Sequence, residues 1–490
     1  MNFSKSQKQA LIKIEEFLNS PNKLFTLKGS AGTGKSTVIT SILLKDEYKD
    51  KKIAFCATTN KAVSILKEMS QIKDTREVVF LTIHKLLNIK RTIDRDGKEL
   101  FNTNIEKEEN KLMKTKAKSI YNYDIVVIDE SSMVTKEIIH KLIKISNKIK
   151  GKIIFVGDSA QLPPVNEKYS LVFRTDDIPS FELDEIMRYK GNIVELCNKV
   201  RELVNDNSVS FSLKTYVDND IKKFKNFEKW VGNYIKIFKS KGINEIPIFI
   251  VYTNAQCDKI NKAIREILFL KRNMFDLESY GNKKLDKYVS GEIILFNGYY
   301  KSSNGCKYYT SQKEKVLLVE EDIYRIINFN QKIDENLGKL TIEEDVKMII
   351  LKYLEKIYEL IDNLSINIYK LHLNSKDIVY VIKNINDYNV IIENSREILI
   401  KLKRFMEKRN KENISFMNFL WEHFYEKLID KFADISYGYC ITTHKSQGST
   451  FSNVYVDMNN IIFKNKNQQE SFRCLYTAIT RTSKKLNILV

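Results

Sequence analysis

The residues with the plainest chemistry lie between Leu27 and Thr37, in the run LKGSAGTGKST. Gly29, Ser30, Ala31, Gly32, Thr33, Gly34, Lys35 and Ser36 fill the spacing G-x-x-x-x-G-K-[ST], and Thr37 follows. Glycines let successive backbone N–H groups turn inward around a polyphosphate, and a following helix adds the positive end of its dipole. Lys35 would bring a point charge to the outer phosphates, and the Ser36 hydroxyl a ligand for Mg²⁺. That chemistry needs a strand before the loop and a helix after it. Residues 23–27 (KLFTL) supply the first and residues 38–44 (VITSILL) the second.

Two acids follow another apolar run, YDIVVI at 123–128. Asp129 is placed to hold Mg²⁺ through water, and Glu130 to orient an attacking water. A further strand, 152–156, ends in GDSAQLPP, where two prolines fix a turn and Gln161 is placed to sense a phosphate. Polar groups also end the strand at 52–57, where Thr58, Thr59 and Asn60 follow, and the passage at 80–87 carries Thr82 and His84. Such positions touch ligands in open α/β sheets.

Strands and helices alternate around these motifs, which predicts a doubly wound parallel sheet. The first helix is expected over residues 3–18, with Ser4 as N-cap and Gln7 in its first turn, where an amide can pair with both a donor and an acceptor on an adenine edge. The α/β rhythm stops between 87 and 121. Residues 91–101 read as a strand–turn–strand hairpin about Asp96-Gly97, and 104–118 as a charged helix. A second α/β unit begins near 186, with a strand at 246–252, then Thr253, Asn254 and a helix at 255–269. From about 285 it is interrupted. Strands at 288–296, 313–319 and 324–329 suggest a small barrel, with a helix at 342–361, strands at 366–373 and 377–385, and helices at 395–406 and 416–432. The aromatic run 416–425 (FMNFLWEHFY) has the spacing of one buried helix face. The sheet pattern resumes at 439–441, followed by TTHKSQGST, a strand at 454–457, a helix at 470–480 ending at Arg481, and a last strand at 486–490.

A chain of 490 residues is too long for one core. Its formal charge of +19 favours polyanionic partners, although enrichment in Lys, Ile and Asn also fits an AT-rich genome. Six single cysteines with no C-x-x-C pair point away from a zinc site or a disulfide framework, and toward a reducing compartment. The first ten residues lack a signal-peptide core, and no stretch is apolar enough to span a membrane. A soluble, cytoplasmic protein is expected.

The ordered set Gln7, GSAGTGKST, ATTNKA, TIHKLL, VVIDESSM, VGDSAQLPPV, LDEIMR, YTN, TTHKSQGST and LYTAITRT resembles the motif series of superfamily 1 helicases, in its RecD/Dda-like branch. The resemblance implies two RecA-like parallel-sheet domains, at 1–87 with 121–184 and at 185–284 with 436–490. A pin insertion would occupy 88–120, and an SH3-like β-barrel with a helical insertion 285–435. It implies an ATP- and Mg²⁺-dependent 5′-to-3′ translocase on single-stranded DNA that separates the duplex at a fork, with replication or recombination proteins as further partners. Gln7 would read adenine; Lys35 and Ser36 would hold phosphate and Mg²⁺, with Asp129 as metal partner. Glu130 would position water and Gln161 would sense the γ-phosphate. Arg188 and Arg481 would reach the phosphate from the second domain, and Gln447 and Gly448 would lie at the nucleotide. Thr58, Thr59, Asn60, His84, Pro163, Thr253, Thr443 and His444 would face DNA, and Phe101 would stack at the fork. For His84, His444 and Phe101 a packing role fits the residue type equally well. The helix near 340–364 has no counterpart role. A nucleotide-switched binding protein is the alternative from another class, and residue type leaves RNA open as the track.

Overall fold

A computed structural model describes residues 3–70, 77–93, 99–102, 119–175, 177–189, 191–206, 211–240, 245–270, 285–407 and 413–490. The charged helix expected at 104–118 lies outside these residues. The chain divides into two compact units, one of residues 1–88, 104–285 and 437–490, the other of 89–103 with 286–436. The hairpin therefore groups with the barrel-like insertion.

In chain order the first strands are β1 (Leu24–Gly29), β2 (Ile53–Ala57), β3 (Val78–Thr82), the hairpin strands β4 (Lys90–Ile93) and β5 (Glu99–Asn102), β6 (Ile125–Ile128), β7 (Lys152–Gly157) and β8 (Ser180–Leu183). Six of them form a sheet in the order β3-β2-β6-β7-β1-β8. Every pairing in it is parallel. β2 and β6 are buried at every position, as strands covered on both faces must be. Because all six run the same way, their carboxyl ends share one edge. The residues after them, GSAGTGKST, Thr58–Asn60, His84, Asp129–Glu130 and Asp158–Gln161, are brought to that edge by topology alone.

The same logic repeats after β8. β9 (Ile221–Phe224) and β10 (Ile248–Val251) open a second sheet before the chain leaves for the insertion. The insertion contains β11 (Ile293–Phe296), β12 (Tyr300–Lys301), β13 (Lys307–Tyr308), β14 (Lys313–Arg325), β15 (Ser365–Leu373), β16 (Ile378–Ile382) and β17 (Ile435–Tyr437). β18 (Cys440–Thr442), β19 (Phe451–Asp457) and β20 (Thr482–Leu489) then complete the second sheet. Its order is β18-β10-β19-β20-β9, again all parallel. Thr253, Thr443 and His444 follow the ends of its strands.

The insertion is an antiparallel sheet, β16-β15-β14-β11-β17, with a β12–β13 ribbon, which fits the expected barrel-like module. Two details differ from the sequence reading. The strands expected at 313–319 and 324–329 are one 13-residue strand that stops at Arg325. Its pairing with β15 runs as far as Arg325–Ser365, so nothing ends the ladder between the two apolar runs. The helix expected at 395–406 starts at Ile385, since Tyr388 and Ile392 continue its buried face. Helices Glu344–Ile361, Ile385–Glu407 and Asn413–Phe424 cover one apolar core around Phe329, Leu354, Leu399 and Leu420. Phe416, Trp421, Phe424 and Tyr425 are buried in it, as the helical spacing predicts.

Candidate active site between two parallel sheets

The phosphate loop links β1 to helix Lys35–Leu43, whose N-cap is Gly34. Gly34 has φ +81°, and a Cβ there would stand 2.6 Å from the Gln7 side-chain nitrogen. Gly32 has φ +85°, and its Cβ would stand 2.5 Å from that of Arg188. Both positions therefore need glycine for backbone conformation and for space. Lys35 donates to the carbonyls of Gly29 (2.8 Å) and Ser30 (2.9 Å), which holds its ammonium inside the loop. Burial draws the Lys35 pKa down, against the opposing pull of Asp158, Glu130 and Asp129. Three carboxylates thus act on one ammonium at the sheet edge.

Ser36 donates to the Asp129 carboxylate at 2.9 Å. Desolvation, with Glu130 next, pushes the Asp129 carboxyl up to about 6, opposed by the Glu130 backbone N–H and the Ser36 hydroxyl. A hydroxyl and a carboxylate in contact are hard oxygen donors, the set that suits Mg²⁺. Glu130 itself has left-handed backbone, φ +50° and ψ +39°. A non-glycine residue held there costs free energy, and such strain gathers where a side chain must be aimed.

Gln7 is 6% exposed. Its side-chain oxygen accepts from the Ser4 N–H at 3.1 Å in a capping box, and its amide nitrogen donates to the Thr33 carbonyl at 3.0 Å. The first helix is thereby tied to the phosphate loop, with one amide hydrogen of Gln7 still uncommitted by these bonds. Gln161 is buried; its amide nitrogen reaches Asp158 at 3.4 Å, while its side-chain oxygen has no hydrogen-bond partner. A buried orphan acceptor is costly, and its oxygen is available to a water or hydroxyl donor.

Arg481 ends helix Gln468–Ile479 on the second sheet and is 2% exposed. Its guanidinium donates to the Thr477 carbonyl (2.9 Å), the Ser449 carbonyl (3.3 Å) and the Thr480 hydroxyl (3.1 Å). Burial lowers its pKa; Glu130 on the first sheet counters this, and Arg188 adds to it. Arg188 is placed differently from the sequence expectation. It follows β8 of the first sheet, and its backbone N–H donates to the Gly32 carbonyl at 3.1 Å. It is seated on the phosphate loop from the first-sheet side, exposed, close enough in charge to act on both Lys35 and Arg481.

Four residues outside the predicted set add bonds here, and three of them, Tyr476, Arg473 and Lys61, join the two sheets. Tyr476 donates to Asp158 (2.8 Å) and accepts from the Ala31 N–H at 3.4 Å. Tyr189 donates to the Ala31 carbonyl at 3.2 Å. Arg473 donates to the carbonyls of Ser159 (2.6 Å) and Gln161 (3.2 Å). Lys61 donates to the Ser449 hydroxyl at 2.6 Å, and its pKa falls to about 8 through burial and the nearness of Arg481. Lys61 stands in ATTNKA and Arg473 and Tyr476 in or beside LYTAITRT, so the motif boundaries were the only signal for them. Gln447 adds one more tie, donating to the Leu162 carbonyl at 3.2 Å, with Gly448 at φ +68° behind it.

The strand-end residues divide into two groups. Thr58, Thr59, Asn60, His84 and Pro163 are half-buried, and His444 is exposed. The Thr59 hydroxyl caps the Ala62 N–H, and the Thr253 hydroxyl accepts from Gln256 and from the Asn460 amide. Thr443 departs from expectation: it is fully buried, and its hydroxyl donates to the Val251 carbonyl at 3.1 Å. Its side chain holds the turn after β18 to β10 instead of facing a ligand. Phe101 lies on β5 opposite Arg91; its side chain lies outside what the structure describes.

Two parallel sheets with a phosphate loop on one and a buried arginine on the other define a RecA-like nucleotide-driven motor. The AAA domain family matches residues 2–221, and the UvrD-like helicase C-terminal domain matches 437–489. An uncharacterized protein, R530, of Acanthamoeba polyphaga mimivirus is 30% identical over 526 aligned residues, covering 100% of both chains. The RecBCD enzyme subunit RecD of Buchnera aphidicola (subsp. Schizaphis graminum) is 27% identical, covering 99% of this chain and 73% of its own. The solved Pif1 helicase of Candida albicans aligns over 100% of this chain and 94% of its own at 17% identity, with a TM-score of 0.48. The chain belongs to superfamily 1, in its RecD/Pif1/Dda-like group, whose members are ATP-dependent DNA helicases.

Proposed function

We propose that this chain hydrolyses ATP with Mg²⁺ in the cleft between its two parallel sheets and uses the cycle to move 5′ to 3′ along single-stranded DNA. The observation that carries this reading is Arg481. It is a buried guanidinium on the second sheet whose charge is countered by Glu130 of the first. Cations supplied by one lobe to a phosphoryl group held by the other stabilise charge in the transition state only when the lobes meet. Lys35 and the loop amides hold the phosphates, Ser36 and Asp129 hold the Mg²⁺, Glu130 orients water, and Gln161 reports the γ-phosphate to Asp158. Arg188 adds charge from the loop side. Gln7 reads the base with its uncommitted amide hydrogen. When bound, Mg²⁺ neutralises charge on the β- and γ-phosphates.

Tyr476, Arg473, Lys61 and Gln447 connect the cleft to strand-end residues on both sheets. Closing and opening the cleft therefore shifts Thr58, Thr59, Asn60, His84 and Pro163 against Thr253 and His444. Hydroxyls and amides at strand ends grip phosphates with little sequence preference, which suits a translocating motor. The hairpin at 90–102 serves as the separating pin, with Phe101 on its second strand.

The test is strand separation on matched duplexes carrying a single-stranded tail at the 5′ or the 3′ end. Unwinding of the 5′-tailed duplex alone is expected. Unwinding of the 3′-tailed duplex alone would reject the polarity, and ATP hydrolysis without unwinding of either would reject strand separation by the isolated chain. Replacing 94–98 by a tight two-residue turn is expected to spare ATPase and lower unwinding.

A further inference from the structure

On the second sheet three donor side chains of different chemistry converge. His444 lies in the short helix Thr443–Ser446 that follows β18, and Glu470 and Cys474 lie one helical turn apart on Gln468–Ile479. The i,i+4 spacing puts Glu470 and Cys474 on one face. A ring nitrogen of His444, a carboxylate oxygen of Glu470 and the sulfur of Cys474 all lie within 4.8 Å of one another. His444 is exposed, Glu470 half-buried and Cys474 fully buried, so the group is open on one side and closed on the other.

We infer that these three residues form a binding site for a borderline-soft divalent metal ion, zinc above all. Imidazole, carboxylate and thiolate together are a zinc donor set, and three protein ligands leave a fourth position open, here on the exposed His444 side. Bond lengths of about 2.0 to 2.3 Å bring donors within roughly 3.3 to 3.8 Å of one another around a tetrahedral ion. The side chains need to close by only about 1 Å to meet it. The group also has the outer support such sites need. The Tyr252 phenol lies near enough to the Glu470 carboxylate for burial, and next that charge, to raise the phenol's pKa, and the Tyr252 ring centroid lies 6.2 Å from that of His444. A partner of this kind fixes a ligating carboxylate in place. Neither role assigned to the motor uses Glu470 or Cys474.

The metal would bind with loss of one proton, from the Cys474 thiol to solvent. Because ligation requires the thiolate, affinity rises with pH. The consequence for function rests on the proposed DNA contact of His444. An ion that takes its ring nitrogen removes that contact and ties the turn after β18 to the helix that ends in Arg481. Zinc then suppresses the DNA-stimulated part of ATP hydrolysis and spares the basal part.

The experiment is titration of the metal-stripped full-length chain with Co²⁺, followed by absorbance, in wild type, Cys474→Ser, Glu470→Gln and Tyr252→Phe, with thermal melting of each. The expected result is a saturable thiolate-to-cobalt charge-transfer band, reversed by Zn²⁺. That band is absent in Cys474→Ser and weaker in Glu470→Gln, and Tyr252→Phe lowers affinity about 10-fold. No band in wild type, or an equal band in Cys474→Ser, would overturn the site. Should Cys474→Ser fail to melt cooperatively, Glu470→Gln at the half-buried position decides: unchanged cobalt affinity there overturns it. Because the band is read without DNA or ATP, its failure is distinct from failure of the motor reading. In the ATPase assay, zinc is expected to abolish DNA stimulation of wild type and to leave that of Glu470→Gln; equal suppression of both would overturn the regulatory consequence.

Discussion

The unit that carries the two parallel sheets and the unit that carries the antiparallel insertion both bury charged and polar side chains, but they satisfy them differently. In the insertion the partners are close by and few. Asp377 accepts from Tyr308 and Asn304, and His423 bonds the Phe329 carbonyl. The three-helix side of that interior is almost wholly apolar, around Phe329, Leu354, Leu399 and Leu420. In the sheet unit several buried bonds also run from one sheet to the other: Tyr476 to Asp158, Arg473 to Ser159 and Gln161, Lys61 to Ser449. A polar group buried against a local partner fixes a fold. One buried against a partner on another sheet makes the two sheets' separation matter to its energy, since a broken bond leaves both ends desolvated. The difference separates a scaffold from a moving part.

That contrast can be broken by substitution. Lys35→Ala removes the cation from the phosphate loop, and ATPase is expected to fall on the order of 10³-fold; steady-state turnover near the wild-type rate would remove the loop from the mechanism. Leu354→Ala in the insertion core should cost about 2 to 5 kcal/mol of stability through the cavity it leaves. ATPase per folded molecule should hardly change, and a denaturant melt paired with turnover at low temperature reads both. Tyr476→Phe sharpens the comparison from the other side. It strips one buried bond from Asp158, costing about 1 to 3 kcal/mol, and is expected to weaken the response of ATPase to DNA, which Leu354→Ala leaves intact.

Protonation offers a smaller effect with a defined sign. The folded-state pKa of Asp129 is raised, to about 6 from an ordinary 3.8. Between those values the native chain holds more protons than the unfolded chain, so this residue's contribution to stability is present at low pH and is lost as pH rises through about 6. Mg²⁺-nucleotide affinity should rise over the same interval as the carboxylate ionises. Asp129→Asn should flatten both slopes, which melts and equilibrium nucleotide titrations from pH 4 to 7 would show. The smallest effect expected is that of Lys370→Ala, which removes an exposed ion pair with Asp322 and should leave melting and turnover unchanged.

The two-sheet architecture, and which polar residues meet at the shared sheet edge, were legible because both follow from local pattern. Apolar runs such as IVVI at 125–128 can only be strands buried on both faces, and each ends in the polar residues that the shared sheet edge then collects. The residues that were missed have no local signature. Tyr476, Tyr189 and Arg473 look like ordinary helix or loop residues until two distant segments are brought together. Short strands with mixed composition, SFEL at 180–183 and IKKF at 221–224, were also invisible, because edge strands bury little and alternate weakly. Thr443 misled for the opposite reason: its motif suggested a ligand contact, while its depth beneath the turn commits the hydroxyl to Val251. In the insertion, β14 was split in two by charged residues, which face outward on a strand much longer than its buried part.

The central claim is that ATP is hydrolysed between the two sheets, with Arg481 supplied by the second. The most direct measurement is single-turnover hydrolysis of Mg²⁺-ATP by Arg481→Lys, alongside equilibrium binding of a fluorescent nucleotide. The account predicts nucleotide affinity within a few-fold of wild type and a chemical step slower by about 10³-fold. A variant that binds and hydrolyses at the wild-type rate would contradict it, since the phosphate loop would then be working without the second sheet.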